Sequence, residues 1–180
     1  EEAAMTVVDK FTLTSKFGAA DLSGISKGLG AEVGVVIGFD ILKEISFLID
    51  DTTDRITFTP IGSIQPTTDS VFRIDLKENL VEGSMNGKPA NFIIDLGCNG
   101  RVAVYRNSWA KCFQKSDTVR LGTSRDATGT QRALLGVREA SSKIGDFEIG
   151  GPVTQTPKDS SRSDGAVGQK VFENRVAVYA

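Results

Sequence analysis

Phe92-Ile93-Ile94-Asp95-Leu96-Gly97-Cys98-Asn99-Gly100 is the stretch on which the reading of this chain turns. Three apolar residues in an extended run deliver one carboxylate into a turn built of small residues. A carboxylate at the mouth of an apolar strand is partly withdrawn from water, which penalises its charged form. Two such carboxylates held together cannot both ionise. They share a proton and activate a water between them, one acting as base and the other as acid. Taken alone, an Asp-x-Gly after an apolar strand more often caps a turn than performs chemistry, so the surroundings decide.

Immediately upstream, Asn86-Gly87 within MNGKPANFIID is a two-residue hairpin signal that leads into the strand Phe92-Ile93-Ile94. Before it, residues 71–83 (VFRIDLKENLVEG) alternate as a strand does, with Val71, Arg73 and Asp75 opposite Phe72, Ile74 and Leu76. Downstream, residues 107–114 (NSWAKCFQ) fit a short helix with Asn107 or Ser108 as N-cap. Residues 119–125 and 130–138 flank DATG as a second hairpin. Further out, residues 6–14 read as a strand and residues 45–60 as a hairpin around DTTD, while 39–44 and 169–174 each suit a single helical turn. Residues 61–70, with Pro66, read as a linker, and 154–164 as a polar loop.

The chain also repeats itself. Ser15–Gly24 lines up with Ser142–Gly151 at an offset of 127 residues. After a three-residue change the match resumes at 130: Val36-Ile37-Gly38 faces Ala166-Val167-Gly168, Ile41-Leu42 faces Val171-Phe172, and Phe47-Leu48-Ile49 faces Ala177-Val178-Tyr179. Each block reads as strand, loop, buried strand ending in Gly, helical turn, strand. The first copy lacks the hairpin and Asp-x-Gly strand of the second, whose counterpart would fall roughly 32 residues ahead of Glu1. The expected organisation is therefore residues 1–62 as the closing half of a first lobe, 63–70 as a linker, and 71–180 as a second lobe carrying the Asp-x-Gly loop.

Apolar-apolar-Asp-x-Gly, then a hairpin, then Ala-Val-Gly and a helical turn, resembles one lobe of the aspartic peptidases, in particular the retropepsin-like branch. GVVIGFDILKEISFLIDDTTDRITF is similar to that family's closing segment, and DGAVGQKVFENRVAVY to a second copy of it. The resemblance implies an all-β fold of acid-protease-type β-barrel lobes with short helices and a two-fold internal repeat, the first lobe incomplete. It implies that Asp95 is a catalytic carboxylate, supported in its loop by Leu96 and Gly97, with Gly97 permitting the tight turn. It further implies that residues 119–138 form a flap over substrate, tipped by Asp126, Ala127, Thr128 and Gly129. The family has Thr or Ser where this chain has Leu96, and that hydroxyl helps lock the loops across a catalytic pair. Neither Asp9 nor Asp21 lies in an apolar-strand-Asp-x-Gly context, so this chain supplies at most half a pair. The expected partners are a peptide or protein substrate, and either a missing N-terminal half-lobe or a second copy of the chain. The alternative is an inactive protein of the same fold that binds extended peptides or associates with itself.

Composition narrows the chemistry. The 180 residues include no histidine, which excludes Ser-His and Cys-His hydrolysis and His-ligated zinc. Cys98 and Cys112 alone cannot build a four-ligand zinc site, and no metal or other cofactor is expected. Whether the two cysteines are free or joined stays open, and a periplasmic or secreted location is favoured over others. A net charge of −2 offers no basic excess for nucleic acid. No apolar run is long enough to span a bilayer, and no signal-peptide pattern opens the chain. An apolar content of 39% suffices for a buried core.

Overall fold

The computed structural model describes residues 2–7, 11–16, 18–64, 79–125, 130–173 and 176–179. The chain is mostly β. Its centre is a seven-stranded sheet formed by β5 (Leu80–Met85), β6 (Lys88–Asp95), β7 (Val102–Tyr105), β8 (Val119–Arg125), β9 (Gln131–Ile144), β10 (Phe147–Thr156) and β11 (Gly165–Gly168). The order across it is β10-β7-β11-β6-β5-β9-β8, and β10 also pairs with β9.

The β5–β6 hairpin forms where Asn86-Gly87 predicts it. Both residues have positive φ, 48° and 74°, the conformation that twists a two-residue turn to match its strands. The register runs from Met85 opposite Lys88 to Leu80 opposite Ile93. Along β6 the inward positions are Ala90 and Phe92, both buried, with Ile94 packed against the same core. On β5 Val81 and Met85 are buried, and on β7 Val102 and Val104. β11 is buried at all four residues, because it lies between β6 and β7 with both faces covered. Each fully buried large side chain here contributes about 1.5–3 kcal/mol of transfer free energy. Trp109 belongs to this core through packing, stacked on Phe113 with ring centroids 4.3 Å apart.

The other described elements are smaller. β1 (Glu2–Val7) and β2 (Phe11–Lys16) form an antiparallel hairpin. The single strand read over 6–14 is thus two strands, with Val7 opposite Phe11. A seven-residue helix, α1 (Ser23–Leu29), follows and ends on Gly30 at φ 68°. A short helical turn, α2 (Phe39–Leu42), leads into β3 (Ser46–Asp50) and β4 (Arg55–Thr59), the hairpin expected around residues 51–54. β3 pairs on its other side with β12 (Val176–Tyr179), giving a three-stranded sheet. No helix among the described residues is long and apolar enough to cross a membrane.

Helix α3 (Arg106–Cys112) starts one residue earlier than expected, and its N-cap is Tyr105 with no side-chain cap bond. Asn107 and Ser108 are engaged elsewhere: Asn107 Nδ2 donates to the Ser160 carbonyl and Ser108 Oγ to Asp164 Oδ1. The strand read over 71–83 is described only from Asn79, where β5 begins at Leu80; residues 71–78 and linker residues 65–70 lie outside the described residues.

The repeat holds at Gly38 and Gly168, at the helical turn that follows each and at β3 and β12, and fails elsewhere. Gly38 and Gly168 are both extended residues, φ/ψ −84°/171° and −97°/176°, that open a helical turn. In contrast, β10 follows β9 in the second copy, whereas the first copy has irregular chain and α1, which buries no residue. The buried strand expected over Val36-Ile37-Gly38 is also absent. Residues 32–38 have no regular structure, and Val35 and Val36 are exposed. β11 owes its conformation to β6 and β7, and no described strand stands beside residues 34–37.

Candidate functional site

Asp95 is the last residue of β6 and stands in register with Gly168 of the parallel β11. Its Oδ1 accepts a hydrogen bond from the Gly97 N–H at 3.0 Å, and its carbonyl accepts one from the Cys98 N–H at 3.1 Å. These two bonds fold residues 95–98 into a turn and aim the carboxylate along the loop.

The loop is anchored to the segment after β11. The N–H groups of Gly168, Gln169 and Lys170 donate to the carbonyls of Arg101, Cys98 and Gly100, at 2.7, 2.8 and 3.2 Å. So close an approach leaves no room for a side chain at position 168, where a Cβ would run into the carbonyl oxygens of Cys98 and Gly100. An ion pair from Arg101 to Glu173, 3.6 Å, ties the far side of the loop to the same segment.

The carboxylate itself is exposed. The partial withdrawal from water expected of Asp95 does not occur within the described chain. Its strand delivers it past the edge of the core, and no second carboxylate or apolar wall covers it there among the described residues. Leu96 is half-buried and has no group to hydrogen-bond across the loop.

The proposed flap is a hairpin of β8 and β9, with Arg125 opposite Gln131 and a register irregularity between Arg120 and Gly122. Asp126, Ala127, Thr128 and Gly129 lie outside the described residues. The two cysteines are free thiols, Cys98 half-buried beside the Asp95 turn and Cys112 buried at the end of α3. Burial pushes the Cys112 thiol above its ordinary range. Among the described residues no three His, Cys, Asp or Glu side chains stand together as metal ligands would.

Sequence reading underrated one residue at the far end of β11 from this loop. Asp164, just before β11, looks like a turn residue. It instead joins three elements: Oδ2 accepts from the Asn91 N–H at 2.9 Å, and Oδ1 accepts from Ser108 Oγ at 2.9 Å and Lys111 Nζ at 3.2 Å. Its own N–H donates to the Asn91 carbonyl at 2.7 Å, and its carbonyl accepts from Tyr105 N–H at 2.9 Å. No local pattern announces such a junction, because its partners lie far along the chain.

No protein-family model matches this chain, and no curated protein does. Solved structures do. One is described as EIAV protease complexed with the inhibitor HBY-793, at 11% identity and a TM-score of 0.41, over 60% of this chain and 93% of that one. A second is a retropepsin-like aspartic protease from Rickettsia conorii, at 15% identity and a TM-score of 0.39, over 56% and 88%. A third is the retroviral protease-like domain of Ddi1 from Leishmania major, at 11% and 0.33, over 49% and 70%. The fold of the chain is similar to that of these retropepsin-like proteases.

Proposed function

We propose that this chain contributes one carboxylate, Asp95, to an aspartic-type endopeptidase whose second Asp lies outside the segment described. The observation that carries the reading is the placement of Asp95. It ends an apolar strand, its Oδ1 is held by the Gly97 N–H, and the carboxylate is open to a substrate or partner. With a second carboxylate opposite, the pair holds one proton and one water. The ionised carboxylate takes a proton from the water as its oxygen bonds to the peptide carbonyl carbon, and the protonated carboxyl gives its proton to the carbonyl oxygen. Collapse of the tetrahedral adduct breaks the C–N bond, and the amine leaves with a proton. No covalent enzyme intermediate is needed, which suits a chain without histidine. Asp126 to Gly129 would close over the substrate from the tip of the β8–β9 hairpin, and residues 71–180 would form the lobe that carries the loop.

Leu96 favours a second reading, in which the same fold binds extended peptides without cutting them. Peptide cleavage at acidic pH, blocked by a hydroxyethylene transition-state mimic and abolished by Asp95→Asn, supports the first. Peptide binding with no cleavage under any pairing with a second Asp-bearing segment supports the second. Cleavage by the 180-residue chain as a strict monomer would contradict the shared-carboxylate mechanism.

A further inference from the structure

Residues 119–138 hold four of the chain's 21 basic residues, Arg120, Arg125, Arg132 and Arg138, and one of its 23 acidic ones, Asp126. The β8–β9 hairpin is thus a positive element in a chain whose net charge is −2. The ladder sorts its arginines by face. Arg120 stands opposite Leu135 and Arg125 opposite Gln131. Leu135 and Gln131 are four apart on β9 and so share a face. In a regular strand Arg120 and Arg125, five apart, would point to opposite sides. The register irregularity between Arg120 and Gly122 absorbs the extra residue and puts both on the Leu135 face. Arg132, opposite Ser124, lies on the other face.

Arg120 and Arg125 are both exposed, and neither forms an ion pair among the described residues. Arg120 makes one long bond, from Nε to the Gly122 carbonyl at 3.4 Å. Between the two arginines lie Thr123 and Ala133, small and exposed, and beside Arg120 lies Leu135, 39% exposed. β8 is also the outermost strand of its sheet, and no strand among the described residues pairs with its far edge. An open strand edge offers alternating N–H and C=O groups, which match another peptide backbone and not a chain of phosphates. The edge of a second copy's β8 does not fit, because it would set arginines against arginines. A strand bearing carboxylates fits both the edge and its charge.

We propose that the β8 edge takes an extended polypeptide segment carrying two acidic side chains four residues apart. The segment adds as a strand to β8, and every second side chain lies on the Leu135 face. Carboxylates four apart on one strand are separated by about 13 Å, the span from Gln131 to Leu135 and hence from Arg125 to Arg120. Each guanidinium donates a pair of N–H bonds to one carboxylate. The side chain midway between the carboxylates meets Thr123 and Ala133. The inference rests on the function proposed above in taking this hairpin as a wall of the substrate site, and it gives that site a preference for acidic polypeptides.

The test uses a fluorescein-labelled peptide, Ser-Thr-Glu-Val-Thr-Val-Glu-Thr-Ser, titrated with the full chain at low salt under reducing conditions and followed by anisotropy. Saturable binding is expected. It should weaken at least tenfold when both Glu are replaced by Gln, and equally when Arg120→Gln and Arg125→Gln are combined in the chain. Lys27→Gln on α1 removes a charge elsewhere and is expected to change affinity by less than threefold. Arg120→Glu combined with Arg125→Glu is expected to prefer the peptide with Lys at both Glu positions. Unfolding curves read from Trp109 verify that each variant is folded. Absence of saturable binding overturns the proposal, as does equal binding of a peptide whose two Glu stand three apart. Tighter binding of a single-stranded oligonucleotide assigns the arginines to phosphate and overturns it. Self-association of the Arg120→Gln, Arg125→Gln chain, with no peptide binding by the wild type, assigns them to guarding the edge and overturns it too. Cleavage of the Glu and Gln peptides at equal rates, by a chain completed with a second Asp-bearing segment, overturns the acidic preference and leaves the peptidase reading standing. Selective binding of the Glu peptide without cleavage does the reverse.

Discussion

Leu48 and Val178, which the 130-residue offset equates, are register partners in the antiparallel ladder between β3 and β12. On either side of them Phe47 faces Tyr179 and Ile49 faces Ala177, so each pairing has its mirror one step away. Equivalent strands that meet antiparallel about an equivalent pair are related by a local two-fold axis. The first copy is therefore joined to the second through backbone hydrogen bonds, in the manner of two subunits sharing a sheet. That pairing sets residues 47–49 against residues 177–179 within one three-stranded sheet.

The two glycines that open the helical turns should respond differently to the same change. Both occupy an N-cap position, so the capping cost of Gly→Ala is common to both. Gly168→Ala must also displace the carbonyls of Cys98 and Gly100, an overpacking worth about 1–3 kcal/mol. Gly168→Ala is expected to lower unfolding free energy by that margin more than Gly38→Ala, measured by urea denaturation. Equal losses would show that the 96–101 loop does not pack on residue 168 as described.

How much of this was legible beforehand depended on how local the cause was. Asn86-Gly87 announced its hairpin because two positive-φ residues are a local requirement, and DTTD announced the β3–β4 turn for a similar reason. The apolar run Phe92-Ile93-Ile94 announced a strand, and Asp95 was legible as its end. What failed was non-local. Val36-Ile37-Gly38 reads like Ala166-Val167-Gly168, yet only the latter has strands on both sides. Asn107 and Ser108 read as caps, but distant Ser160 and Asp164 claim their side chains. Helix α1 carries Gly24 and Gly28 and buries nothing, so no apolar stripe could announce it.

Asp164 makes stability sensitive to acid. Burial alone would push its carboxyl upward, but the Asn91 N–H, the Ser108 hydroxyl and the Lys111 ammonium outweigh burial and hold it below its ordinary value. A carboxyl depressed in the folded state contributes stability that is present above its unfolded pKa of about 3.9 and is lost as pH falls through the folded value. Asp164→Ala leaves the Asn91 N–H without its acceptor and is expected to cost about 1–3 kcal/mol at pH 7. The gap between wild type and variant should shrink below about pH 4, as protonation removes the same interaction from the wild type. A gap that stays constant from pH 7 to pH 3, by thermal or urea unfolding, would assign the loss to packing instead.

Trp109 is the sole tryptophan and sits in the core of the seven-stranded sheet, its Nε1 donating to Thr118 Oγ1 at 3.2 Å. Its fluorescence therefore reports on that core. Phe92 is 1% exposed, packs in the same cluster and sits on the strand that ends at Asp95. Truncating a buried Phe leaves a cavity that the sheet cannot close, at a cost of about 3–5 kcal/mol. Phe92→Ala is expected to shift the Trp109 transition by that amount. Val36→Asp, at a residue 60% exposed outside the sheet, is expected to shift it by less than about 0.5 kcal/mol. A large shift from Val36→Asp would mean that residues 34–38 are packed against the core in the isolated chain.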